Sequence, residues 1–277
     1  MRSSSTDPIV VDETSPDETS LVSVRVDPVG AEIEVGGSES LIEAAWRDGY
    51  YWPTVCGGRV ALSCEGPLMP SPPYVAVAGT PEVLVRAIDY VGRWPAMAAQ
   101  WPQIVRVIQP FTDPVGGGAL RSSSHSVDTR PGVIALTVDC PLATAQAIVH
   151  ETAHLKLRIM GVRNQAADRI VINRPEELYE SPVVIEMLRP MTAVLHAQYS
   201  FMHILQLDLE MLRQEEDAAV RRDIKSLLAR NVPRMTKGLA TLRRDIQCDE
   251  AGAKFCEGFF GWCETALASG RAALAQS

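Results

Sequence analysis

The chain lacks any long apolar run. None of its hydrophobic stretches approaches the ~18–20 residues that cross a bilayer, so no membrane partner is expected. It also lacks an excess of positive charge: 26 Lys and Arg stand against 34 Asp and Glu, a net charge of −8. Nucleic-acid binders usually present a basic stripe. Here the densest basic pairs, Arg221-Arg222 and Arg243-Arg244, are interleaved with acids on a helical pattern, and no nucleic-acid partner is expected. The first twenty residues, MRSSSTDPIVVDETSPDETS, hold one Arg and no apolar core segment, unlike a secretory signal. Without such a signal, the six cysteines read as free thiols in a reducing compartment, so a cytoplasmic location is expected. Hydrophobic residues make up 46% and charged residues 22%, which excludes a collagen-like or wholly disordered chain.

What is present divides into three stretches. Residues 1–20, rich in Ser, Thr, Asp, Glu and Pro, read as a disordered tail. Residues 21–35 alternate apolar and polar around Pro28-Val29-Gly30, a hairpin signal, and 39–48 read as a short helix capped by Ser38. A Pro-rich break at 66–73 marks a boundary, so 21–70 form a small α+β fragment and 71–277 a mainly α domain. In that domain, helical periodicity covers 80–93, 95–109, about 141–160, 188–213, 216–230 and 233–268. Residues 132–138, GVIALTV, read as one short buried strand, and 112–131 as a Gly- and Ser-rich loop that would suit a lid.

Residues 36–64 resemble the cluster-binding stretch of plant-type 2Fe–2S ferredoxins, which implies a β-grasp-like fold for the fragment. Cys56 and Cys64 stand at the first and third cysteine positions, Ala61 stands at the second, and the next cysteine is Cys140. A 2Fe–2S cluster needs four ligands, so no Fe–S cluster is expected and the fragment reads as a docking or packing element.

Residues 150–154 read His-Glu-Thr-Ala-His, the H-E-x-x-H pattern that places two imidazoles on one helix face. Pro141 suits the first turn of that helix and Gly161 its C-cap. Ala143 and Ala147 continue the histidine stripe and would let another element approach closely. His150 and His154 are therefore candidate ligands for Zn or Fe. The third ligand stays open between His196, in RPMTAVLHAQYSF, and a carboxylate such as Glu176, Glu177 or Glu180. Glu151 is the general base of a zinc metallopeptidase, or else a group that orients the metal site. Arg189 stands seven residues before His196, about 10 Å along a helix, and Tyr199 and His203 lie near the His196 face. Cys248, Cys256 and Cys263 recur at spacings of eight and seven and read as buried thiols.

Three segments, GVIALTVDCPLATAQAIVHETAHLKL (132–157), LYESP (178–182) and LRPMTAVLHAQYSF (188–201), resemble the HExxH-motif domain encoded beside ribosomally made, modified peptides. The resemblance covers about residues 75–270, with Ala197 in place of the usual Gly. It implies Fe(II)- and 2-oxoglutarate-dependent β-hydroxylation of a precursor peptide, with His150, His154 and His196 on the metal and Arg189 and Tyr199 on the co-substrate. The competing expectations are the zinc peptidase and a non-catalytic partner or leader-peptide-binding protein.

Overall fold

The computed structural model describes residues 9–11, 22–26, 33–36, 53–64, 68, 73–115, 120–184 and 187–276. The molecule is mainly α with a small sheet. Near the start, β1 (Ile9–Val11), β2 (Val22–Val26) and β3 (Ile33–Gly36) form an antiparallel sheet, with Ile9 opposite Val24 and Val26 opposite Ile33. The hairpin expected over 21–35 is the β2–β3 pair. Ile9–Val11, expected inside a disordered tail, is instead a strand: three β-branched residues suit extended backbone and find an edge on β2. The helix expected over 39–48 lies outside the described residues.

β4 (Thr54–Val55) and β5 (Val60–Leu62) make a tight hairpin around Cys56 and Gly57, both in the left-handed region. Ala61, at the position of the second ferredoxin cysteine, is buried inside β5. The Pro-rich break at 66–73 does not detach this hairpin from the helical part of the chain. β5 runs parallel to β7 (Val107–Thr112), with Ala61 opposite Val107, and β6 (Val75–Ala76) covers the rest of that edge of β7. β9 (Val133–Thr137) lies parallel on the other edge of β7, and β8 (Ser124–His125) closes the sheet antiparallel to β9. The helix expected over 95–109 stops short of 107–109. The β-branched, buried Val107 and Ile108 fit a central strand better, as parallel strands are covered on both faces.

Between β5 and β7 run α1 (Glu82–Gly92) and α2 (Pro95–Ile104). After β9 the chain turns within three residues into α3 (Pro141–Ile159), which opens on a proline at its first turn. The Thr144 hydroxyl donates to the Thr137 carbonyl (2.9 Å), tying that turn to the end of β9. The antiparallel pair β10 (Leu178–Glu180) and β11 (Leu188–Pro190) leads into α4 (Met191–Gln214), followed by α5 (Ala218–Asp245) and α6 (Glu250–Ala275). The break expected near Pro233 is absent. Pro233 sits inside α5, where the buried neighbours Val232 and Met235 hold the helix through it, and the interruption falls at 246–249. There Asp249 caps α6 by accepting from the Gly252 N–H (2.6 Å). One contiguous apolar core joins the sheet to all six described helices.

Candidate metal centre

The site is built where α3 lies against α4. Gln146 donates to Asp208 (2.7 Å) at one end of the contact and His154 meets His196 at the other, so the two helices run antiparallel. Ala143 and Ala147 are buried on α3, as a close helix contact requires. His150 and His154, one turn apart, bring their Nε2 atoms to 3.0 Å from each other. Phe201 stands edge-on to the His150 ring at 5.4 Å.

Gly161 ends α3 as expected, with φ +86°. The Gly161 N–H donates to the Arg158 carbonyl (2.9 Å) and the Val162 N–H to the Leu157 carbonyl (2.9 Å), the two hydrogen bonds of a Schellman cap. That reversal leaves the Val162 carbonyl free to face α4, where it accepts from His196 Nε2 (2.7 Å). One carbonyl thereby sets the tautomers along the row of rings, ending with a His150 that donates from Nε2 to His154 Nε2 (3.0 Å) and keeps its lone pair on Nδ1. A carbonyl only accepts, so His196 carries its proton on Nε2 and presents a bare Nδ1. His154 Nδ1, 2.8 Å away, must donate to it. The lone pair of His154 is then on Nε2, the atom that faces His150.

Burial lowers the pKa of all three imidazoles. His150 is lowered by desolvation against the opposing pull of Glu151. His154 is held well below the ordinary range by desolvation, then by the repulsion it would meet from a protonated His150 or His196 and from Arg158. His196 falls to about 4 by desolvation, in spite of its bond to Val162. Neutral rings are the form that binds a metal. His150 Nδ1 is buried and has no partner.

His150 and His154 fit a divalent ion as two neutral imidazoles with adjacent Nε2 atoms once the His150 proton moves from Nε2 to its unpartnered Nδ1, which turns both lone pairs to the same point. His196, expected as a third ligand, does not fit that role as placed. It spends Nδ1 on His154 and Nε2 on Val162, and so orients His154 from behind. Glu180, the rival, is on exposed β10, paired with Lys237 at 2.9 Å. Among the described residues, no three His, Cys, Asp or Glu side chains converge as a ligand set.

The remaining expected residues are dispersed. Arg189 is not on the His196 helix: it lies in β11 opposite Tyr179, before Pro190, and its guanidinium meets Met187 Sδ at the surface (3.7 Å). Tyr199 is buried in an aromatic cluster with His203 (4.3 Å between ring centroids), Phe259 (5.2 Å) and Phe255 (5.9 Å), and burial raises its phenol pKa. His203 belongs to the same cluster, bonded to the Tyr199 carbonyl.

Glu151 points into the sheet side of α3 and is 2% exposed. Its Oε1 accepts from the Ser124 hydroxyl (2.8 Å) and its Oε2 from the Ser126 hydroxyl (2.5 Å). Arg158, one turn past His154, donates to the Ser126 hydroxyl (2.6 Å) and carbonyl (3.0 Å) and pairs with Asp128 (2.7 Å). The second half of the expected lid loop is thus a strand and a strap fastened to the H-E-x-x-H helix. No motif marks Ser124, Ser126, Asp128 or Arg158 in the sequence; the one signal is the hydroxyl-rich run Ser122–Ser126. No protein-family model matches the chain, and no curated protein matches it.

Proposed function

We propose that the protein is an Fe(II)- and 2-oxoglutarate-dependent oxygenase that β-hydroxylates a ribosomally made peptide. The observation that carries this reading is the pairing of His150 and His154 Nε2 atoms at 3.0 Å beside a Glu151 whose two oxygens are both committed. A zinc peptidase needs that carboxylate free to take a proton from metal-bound water. Held by two serine hydroxyls, Glu151 instead fixes the helix that carries the histidines, and this disfavours the peptidase. The iron reading and the peptide substrate rest on the resemblance of residues 132–201 to the HExxH peptide-modification family.

When bound, Fe(II) with 2-oxoglutarate and O₂ supplies the oxidising power to insert oxygen into a C–H bond. The chain's part is to present two neutral imidazoles, and His196 keeps the His154 lone pair on Nε2. The cation that His154 and His196 sense is Arg158 rather than Arg189. Asp128, half-exposed, occupies the face of Arg158 that a substrate carboxylate would take.

The test is anaerobic addition of Fe(II) and then 2-oxoglutarate to metal-free protein, followed by its visible spectrum. A metal-to-ligand charge-transfer band is expected, lost in His150→Ala and His154→Ala. Tight Zn(II) binding with no band would overturn the oxygenase in favour of a zinc enzyme. Absence of any metal binding would overturn both.

A further inference from the structure

Away from the histidines, the turn between α5 and α6 brings two thiols together. Cys248 Sγ and Cys256 Sγ are 3.5 Å apart. A disulfide places its sulfurs ~2.05 Å apart, so an approach of about 1.5 Å separates the dithiol from the bond. Cys248 is partly exposed, while Cys256, on the second turn of α6, is buried. Cys263, one turn pair further along α6, is buried apart from them. We propose that Cys248 and Cys256 are a redox-active pair that forms an internal disulfide by exchange with a small-molecule disulfide, Cys248 being the attacking thiol and Cys256 the resolving one.

The asymmetry of the pair assigns the roles. The bond from Cys256 pulls the Cys248 thiol pKa down, and the same bond with burial pushes that of Cys256 up. A lowered, accessible thiol attacks first. Cys248 gives up its proton and its thiolate attacks one sulfur of the small disulfide. That S–S bond breaks, and the departing thiolate takes the proton. Cys256 then loses its proton and attacks Cys248 Sγ, expelling the second small thiolate, which is protonated in turn. Two protein thiols are oxidised by two electrons, and one small disulfide is reduced to two thiols. Cys248 also pairs through its backbone with Val171, and Asp249 Oδ2 accepts from the Ile170 N–H (2.9 Å). Oxidation would therefore fasten the segment after the H-E-x-x-H helix to the second turn of α6.

The sequence makes the test direct. Trypsin cuts after Arg244 and Lys254, so the two cysteines leave on separate peptides unless a disulfide joins them. The full-length protein is equilibrated in buffers of reduced and oxidised glutathione, quenched in acid, alkylated, digested and mapped by mass spectrometry. The expected result is a joined peptide pair lacking two hydrogens, growing as the buffer becomes more oxidising, with Cys263 alkylated throughout. In Cys256→Ala, Cys248 should accumulate as the glutathione mixed disulfide, which the wild type should not retain. A wild-type Cys248 that stays alkylated in the most oxidising buffer would overturn the proposal. So would a wild-type mixed disulfide at Cys248 that persists beside an alkylated Cys256. Both of these outcomes are read on the wild type, so the test holds even if the variant folds poorly.

Discussion

Val162 offers one oxygen to the candidate metal centre, and the identity of the residue hardly matters, because the oxygen is a backbone atom. What matters is that His196 can satisfy it. Removing His196 leaves His154 free to turn and to change tautomer but leaves both Nε2 donors in place. In His196→Ala, divalent metal affinity is expected to fall about 10–100-fold with the stoichiometry retained, as read by equilibrium dialysis. Complete loss of binding would make His196 a ligand after all. A second buried residue speaks at this scale. Asp208 is fully buried, and desolvation raises its pKa from 3.8 to about 7, with Gln146 and Arg230 opposing. Its folded pKa lies above its unfolded one, so its contribution to stability is present at low pH and is lost as pH rises from about 4 through about 7. Asp208→Asn keeps an acceptor for Gln146 and cannot ionise. The variant should lose less melting temperature than the wild type between pH 5 and pH 8, the interval that spans the folded value of about 7. Equal slopes in thermal melts would refute the assignment.

At the scale of elements, what counts is how closely backbones meet. The first turn of α6 abuts the Ile170 carbonyl so closely that a Cβ on Gly252 would collide with it, and Ile170 itself has φ +72°. The obstacle is main chain, which cannot swing aside. Gly252→Ala should therefore cost about 1–3 kcal/mol, measured by denaturant unfolding, while Gly261→Ala, at an exposed position inside α6 where no atom lies near, should stabilise by about 0.5–1 kcal/mol. The elements are largely legible where periodicity and caps agree. The H-E-x-x-H helix, its proline start and its glycine end can all be read from the residues alone. Arg189 shows the opposite: its spacing of seven from His196 suggests a shared helix face, yet it precedes Pro190. A proline disfavours helical backbone at the residue before it, so Arg189 lies in β11. Nor can the sequence aim His196. Its ring is turned by a carbonyl that exists only once α3 has ended in its cap, and no side-chain pattern encodes that. Strand β7 is hidden because Val107 and Ile108 sit next to a real helix of similar apolar content.

At the scale of the whole molecule, the hairpin Thr54–Leu62 belongs to the sheet that backs the site, although a Pro-rich stretch divides it from the helices in sequence. Removing residues 1–70 would uncover the edge of β7 at Val107 and Ile108, and an uncovered apolar edge recruits other chains. The truncated protein is expected to melt at lower temperature and to associate as concentration rises, by light scattering. A truncation that stays monomeric and melts like the intact chain would show the hairpin to be dispensable.

The parallel pairing of β5 with β7 also has a meaning in time. Leu62 is synthesised 45 residues ahead of Val107. At ribosomal rates of ~5–20 residues per second, the hairpin waits about 2–9 seconds for the strand it must join. Throughout that interval one row of its amide and carbonyl groups is open on a growing polypeptide. The hazard of misassembly falls on the ribosome-bound chain, before α3 and its histidines have been translated.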